Sequence, residues 1–274
     1  MREKIFTIML LIIFLLILSC NDFFIPRIFA QDKDSAVKTI SHPVLVELFI
    51  QEACTSCPTA EFCLEDLAWE YGTTKLILVQ EHLWGDGYDT PETNTRYDWY
   101  VGNGKKGTPD VFIDGLTKRL QGLACDCVEE NYECYKAAID KELIRLSLLE
   151  FSAVKIPHPN PLPQGERGKN EELSEIIIEG TVKNISDKSL KNLAVCGMAG
   201  KEGDEPGLYF YIQDIFPFQD IPPFKPGDTF NFKFFPEIPL APNSEVDVGK
   251  DTSHFVIFVQ NTKTKEILQS LYIE

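Results

Sequence analysis

The run Val44-Leu45-Val46-Glu47-Leu48-Phe49-Ile50 is followed three residues later by Cys54-Thr55-Ser56-Cys57, and then by a stretch with helical spacing. No other feature constrains the fold as tightly. A nearly continuous apolar run of strand length belongs inside a covered sheet. A helix starting just beyond it brings unpaired backbone N–H groups and the positive end of its dipole to the leading sulfur. Both favour thiolate, the nucleophile of disulfide exchange. Cys54, at the expected helix cap with the more exposed sulfur, is therefore the candidate attacking thiol. Cys57, one turn in, is the candidate resolving thiol. At this spacing two side chains of a first turn can close a disulfide within the usual Cα distance. The competing reading is a fixed disulfide that merely ties strand to helix.

The pattern downstream is regular. Over residues 58–71, Phe62, Leu64, Leu67 and Ala68 recur at helical spacing, Pro58 suits a first turn, and Gly72 closes the segment. Residues 75–82 make a second apolar strand, and 91–101 an aromatic-rich helix ended by Gly102-Asn103-Gly104. Asp110-Val111-Phe112-Ile113-Asp114-Gly115 reads as a third strand with a turn, and residues 117–121 as a fourth. A last helix is expected over 131–149, burying Ala138, Ile139, Leu143, Ile144 and Leu146.

From residue 151 the period changes to two. Strands are expected at 173–184, 189–198, 207–215, 229–235 and 254–260, then a turn at 262–265 and a last strand at 267–273. Short strands without a long helix imply an all-β sandwich of immunoglobulin-like type. Pro157-His158-Pro159-Asn160-Pro161-Leu162-Pro163 is foreign to both neighbours, because prolines at this density cannot join a sheet. Residues 157–172 read as an inserted loop interrupting the sandwich.

The cysteine pair after the first strand, with Thr108-Pro109 just before the third, resembles the thioredoxin-like superfamily. More narrowly, Val46-Glu47-Leu48-Phe49, Cys54-Thr55-Ser56-Cys57-Pro58, residues 96–100 and residues 108–115 resemble exported bacterial thioredoxin-like proteins of the Omp28-related outer-membrane group. The resemblance implies an α/β thioredoxin-like fold over 42–150, with the β-sandwich over 151–274. It implies that Pro109 is cis and lies against the cysteine pair, leaving the Thr108 backbone free to pair with a substrate strand. It also suggests that Glu47, allowing one extra residue in the turn, is a buried acid beneath the pair that relays a proton to or from Cys57. The alternative for Glu47 is a strand residue reaching solvent. His82 and Trp84 could line the same cleft, with His82 read as a hydrogen-bonded loop residue and Arg96 as one half of a structural ion pair.

Residues 1–20 form a targeting segment: Arg2 and Lys4 precede an apolar run over 5–18, and Ile17-Leu18-Ser19-Cys20 resembles a lipobox in which Cys20 is lipidated. Cleavage near Ala30 and a retained anchor are the alternatives. Residues 21–41 read as a tether. Each reading exports the chain to an oxidising compartment, periplasm or cell envelope. Of the eight cysteines, Cys63, Cys125, Cys127 and Cys134 are candidates for structural disulfides, one of them inside 125–134. A thiolate metal site is the rival, weakened by the lack of a histidine at ligand spacing. Cys196 reads as a buried free thiol.

The net charge of −16, from 26 basic and 42 acidic side chains, argues against nucleic acid as a partner. The expected partners are protein thiols and disulfides, and a membrane through the lipid. No cofactor is implied. The function expected is thiol–disulfide exchange; the rivals are a non-enzymatic surface or binding lipoprotein with a structural disulfide, and a thiolate metal carrier.

Overall fold

Strand β1 (Val44–Ile50) is buried at every position because its two faces serve different cores. The computed structural model describes residues 42–123, 127–157, 176–203, 209–236 and 253–274. The leader, the tether, Cys20, Cys125 and residues 158–172 of the proline-rich insert lie outside the described residues.

Side chains alternate across a strand. Val44, Val46, Leu48 and Ile50 therefore meet α1 (Cys57–Tyr71) and α3 (Val128–Leu143), where Leu64, Leu67, Tyr135 and Ile139 complete one core. Strand β1 pairs parallel with β2 (Leu76–His82) and antiparallel with β3 (Asp110–Ile113). Strand β3 pairs antiparallel with β4 (Lys118–Gln121). Helix α2 (Pro91–Val101), started by a capping box between Thr90 and Thr93, covers the opposite face. There Phe49, Tyr97, Tyr100 and Phe112 form an aromatic cluster, with Tyr100 stacked on Phe112 at 4.6 Å between centroids.

Helix α3 departs from expectation. It ends at Leu143, and Ile144 and Leu146 are 82% and 77% exposed. Its buried positions are Asn131, Tyr135, Ile139 and Glu142, one stripe at helical spacing. Beyond it Arg145 turns inward, donating through Nη2 to Ile267 O (2.6 Å) and to buried Asp114 (3.0 Å), and β5 (Leu149–Pro157) begins. The Arg145 anchor turns the chain just past the helix end, and the apolar residues at 144 and 146 do not prolong it.

Strands β5, β6 (Ile176–Asn184) and β10 (Thr229–Phe234) form a three-stranded antiparallel sheet in the order β10-β6-β5. Strands β7 (Leu193–Glu202), β8 (Phe210–Ile215), β11 (Ser253–Asn261) and β12 (Ile267–Ile273) extend the first sheet instead. Its order is β12-β11-β7-β8-β2-β1-β3-β4, with β9 (Gln219–Ile221) on β7. The join is the parallel pairing of Gln80 with Tyr211. The fold is thus mainly sheet, with three helices among the described residues.

Two further cores follow. Val182, Phe232 and Phe234 of the small sheet pack on Val195, Ile257 and Val259. On the other face of β7 and β11, Met198, Ile212, Val256 and Phe258 pack on Leu45, Ile77 and Val79. A parallel pair buried on both faces needs two covers. Helices α1 and α3 supply one; α2 and the second half of the chain supply the other.

The tip of the β11–β12 hairpin seats on the turn after β3. Gly115 has φ +67°, and a Cβ there would lie 1.9 Å from Lys265 O. Ile267 N–H donates to Asp114 O (3.0 Å), and His42 Nε2 lies 2.8 Å from Asp114 Oδ2.

Candidate functional site

Cys54 and Cys57 form a disulfide with Cα atoms 5.4 Å apart. Ser56 is the N-cap of α1, Cys57 the first helical residue and Pro58 the second. Cys54 therefore stands two residues ahead of the cap expected for it, in a turn closed by Cys54 N–H to Gln51 O (2.9 Å) and Cys57 N–H to Cys54 O (3.4 Å). The two cysteines differ in exposure. Cys54 is half-buried, 3.7 Å from Ser56 Oγ, whereas Cys57 is 1% exposed in the core under α1.

The Thr108–Pro109 peptide bond is cis. Because Phe49 pairs with Asp110, Pro109 stands opposite Ile50, at the sheet end from which the 51–54 turn leaves. Buried Asp110 holds this segment in place. It accepts from Arg119 Nη2 (2.6 Å) and Tyr97 Oη (2.8 Å), while Arg119 Nη2 also donates to Lys105 O (2.7 Å). Burial outweighs these partners and raises the Asp110 carboxyl above its ordinary range.

Glu47 is not beneath the cysteine pair. The alternation that turns Val46 and Leu48 toward Cys57 turns Glu47 to the opposite face. There it is fully buried, accepts from Arg96 Nε, and accepts from Tyr100 Oη (2.6 Å). Gln260 of β11 donates to Tyr100 Oη (2.7 Å), which ties the group to the second half of the chain. Arg96 thus forms the structural ion pair expected of it. Glu81 lies in the same place, 3.8 Å from Arg96 Nε and fully buried, with no conventional donor to either carboxylate oxygen. Burial, then the charge of Glu47, lifts its carboxyl well above the usual range, against the pull of Arg96.

His82 lies across β1–β2 from Ile50, on the side of α1. Its Nδ1 meets Asp86 Oδ2 at 2.6 Å, and Asp86 also accepts from Glu52 N–H (3.3 Å), just ahead of Cys54. His82 Nε2 is buried without a hydrogen-bond partner. Tyr88 and Tyr211 flank the ring, with centroids at 5.2 and 6.5 Å. Trp84 packs on Tyr97, on the side of α2.

The remaining cysteines separate. Cys63 and Cys127, expected as disulfide candidates, are free thiols. Cys63 Sγ–H donates to Val128 O (3.4 Å), and burial, with Asp66 and Glu129, raises its thiol. Cys127 caps α3 by accepting from Glu130 N–H (3.4 Å). Cys134 is disulfide-bonded to a partner outside the described residues. Cys196 is buried and free, its thiol pushed up to about 12 by desolvation. Among the described residues no group of three His, Cys, Asp or Glu side chains is arranged to hold a metal ion.

One residue near the pair escaped the sequence reading. Glu61, four residues after Cys57, is pushed up to about 7 by burial and then by Glu65. Gln80 Nε2–H donates to Glu65 (3.3 Å), seating this side of α1 on β2. The signal available was the spacing from Cys57, hidden because Glu61 reads as one of many surface acids.

No family model matches the chain, and no curated protein matches it. Among solved structures, HBP35 of Porphyromonas gingivalis is similar over 85% of this chain and 75% of that one, at 15% identity and a TM-score of 0.55. This likeness shows a shared fold spanning both halves. A domain of the outer membrane lipoprotein Omp28 from the same organism matches at 14% identity, covering 48% of this chain and 90% of that one, with a TM-score of 0.27. Bacteroides uniformis beta-glucuronidase 2 matches at 17% identity and a TM-score of 0.31, covering 46% of this chain and 14% of that one. Neither of these carries an argument about this chain.

Proposed function

We propose that the chain is an exported thiol–disulfide exchange protein of the cell envelope, built on a thioredoxin-like module over 42–150 followed by a β-rich half over 151–274. The observation that carries this reading is the asymmetric pair: a disulfide between half-buried Cys54 in a turn and Cys57, 1% exposed at the first position of α1. A thiol that a partner can reach, backed by one that it cannot, is what a mixed-disulfide mechanism requires. Cys54 attacks a protein disulfide and Cys57 resolves the adduct. Thr108 and Pro109, across from Ile50, flank the entry where the backbone of a substrate strand would pair.

Export is supported by the basic start, the apolar run over 5–18 and the lipobox-like Ile17-Leu18-Ser19-Cys20. Lipid on Cys20 would place the protein on a membrane, facing protein thiols and disulfides. A thiolate metal carrier is disfavoured, because the disulfide at Cys134 removes one donor from the set it would need. The test is a Cys57→Ser variant of the exported protein. Exchange predicts mixed disulfides between Cys54 and partner proteins, trapped by acid quench and released by reductant. A structural disulfide predicts none, together with a loss of stability.

A further inference from the structure

We propose that the outer face of α1 is the docking surface for the substrate of exchange, and that it selects a segment with apolar and basic residues beside the substrate cysteine. The inference rests on the exchange reading of Cys54 and Cys57.

Helix α1 carries apolar residues on two faces, and the fold accounts for one of them. Cys57, Ala60, Cys63, Leu64, Leu67 and Ala68 pack into the core. Phe62, grouped with Leu64 and Leu67 by spacing, is instead 58% exposed, and Trp69 is 78% exposed. Residues seven apart on an α-helix lie within about 20° of one another around its axis. Phe62 and Trp69 therefore share one line down the helix, and exposed Pro58, next to Cys57, stands at its head. An amphipathic helix places polar residues along the middle of its solvent face. Single exposed apolar side chains are ordinary, but two aromatics in register on one stripe mark a contact surface.

Trp69 is also held in place. Its ring meets that of Tyr209, just ahead of β8, edge to face with centroids 6.4 Å apart. Tyr209 N–H donates to Gln80 Oε1 (2.7 Å), so the indole rests on a fixed support while most of it faces solvent. A ring ordered before contact loses little freedom on binding.

Charge chooses the occupant. Helix α1 contains Glu61, Glu65, Asp66 and Glu70 and no lysine or arginine. Lys136 pairs with Glu70, but among the described residues no cation pairs with Asp66. Asp66 is exposed, four residues after Phe62 and three before Trp69, and so is a surface neighbour of both rings. A second copy of the chain would oppose one acidic helix to another, and an anionic membrane would repel it. A segment with aromatic or aliphatic side chains and a lysine or arginine suits the rings, by apolar and cation–π contact, and suits Asp66.

The helix also sets a register. It rises about 1.5 Å per residue, which puts Phe62 about 7 Å and Trp69 about 18 Å beyond Cys57 along the axis. An extended chain covers about 3.3 Å per residue, so the rings meet substrate positions about two and about five residues from the reacting cysteine. Asp66 falls between them, near position four by the same arithmetic, roughly.

The experiment uses the reduced full chain and two synthetic peptides, each with a single cysteine blocked as a mixed disulfide with thionitrobenzoate. One peptide carries phenylalanine, lysine and leucine at the matching positions on both sides of the cysteine; the other carries serine, glutamate and serine there. The Cys54 thiolate attacks the peptide sulfur and releases the thionitrobenzoate anion. Cys57 then attacks Cys54 Sγ, its proton passes to solvent, and the peptide leaves as a thiolate. The mixed disulfide is reduced and the cysteine pair is oxidised. The ratio of the two release rates cancels any general change in thiol reactivity. In the parent the basic apolar peptide should react about tenfold faster. Phe62→Ser combined with Trp69→Ser should bring the ratio to about one, and Asp66→Lys should turn the preference from lysine to glutamate. A parent ratio near one, or a double variant within about twofold of the parent ratio, overturns the proposal and leaves exchange intact. Self-association of the parent that Trp69→Ser dissolves would give the stripe to a second copy and also overturn it. A parent that releases thionitrobenzoate from neither peptide overturns the exchange reading itself.

Discussion

Arg96 donates to Glu47 on the face of β1 turned away from Cys57, and both side chains are buried between α2 and β11. A carboxylate at this position is held by a cation and by Tyr100 and is remote from the thiols. Its work is to join the two halves of the chain.

The pair should therefore be separable from the site by mutation. Arg96→Met strands Glu47 beside Glu81 in the core, and removing one partner of a buried ion pair costs about 3–5 kcal/mol. Urea unfolding should show this loss. The Glu47→Gln protein, once folded, should exchange disulfides within twofold of the parent rate. A tenfold slower exchange with unchanged stability would return Glu47 to the site.

Glu81 gives a pH dependence with a definite sign. Its carboxyl is raised in the folded state by burial and by Glu47, so the folded chain keeps a proton that the unfolded chain releases above about 4.3. The contribution is fully present below that value and is lost as pH rises toward the folded pKa, at up to about 1.4 kcal/mol per pH unit. Glu81→Gln removes the titration and keeps the size of the side chain. Its unfolding midpoint in urea should exceed that of the parent at pH 8, and its pH slope between 5 and 8 should be flatter. A variant less stable than the parent at pH 8 would contradict the raised carboxyl.

The seat of the β11–β12 hairpin should tolerate no side chain. Gly115 has φ +67° and faces Lys265 O, which an added Cβ would approach to 1.9 Å. Gly115→Ala costs about 1–2 kcal/mol for the left-handed backbone alone, with displacement of the hairpin on top. Thermal unfolding gives the cost. Gly227→Ala, with φ +84° and nothing within 4 Å, is the control that isolates the backbone effect.

Thiol reactivity should follow burial. Cys127 is exposed, whereas Cys63 and Cys196 are buried with raised thiols. Under native conditions iodoacetamide should label Cys127 first, as peptide mass spectrometry can record. The other two should react only after unfolding. The reduction potential of Cys54–Cys57 is expected between roughly −270 and −180 mV, since Thr55 and Ser56 add neither a proline nor a histidine. A glutathione titration followed at these two residues measures it.

Local pattern explains what was legible. The nearly continuous apolar run of β1, the helical spacing after Pro58 and the period-two segments after residue 173 named most of the elements, because each depends on residues near one another in the chain. The contrast between Cys54 and Cys57 was legible for the same reason: a residue at the start of a helix and one ahead of it cannot be equally buried. Position 47 was not. Whether a strand carboxylate lies under a thiol or against an arginine depends on the face it occupies, and a one-residue error in register reverses the face.

By itself, then, the sequence determined the local elements, the cysteine pair at the strand-to-helix junction and the acidic charge that disfavours nucleic acid. Only the tertiary structure decided that β8 joins β2, that Glu81 is buried near Glu47, and that burial lifts the Glu61 carboxyl toward neutrality. Strand order and the burial of charge are set by contacts between residues far apart in the chain. No spacing within a segment encodes which distant surface will cover it.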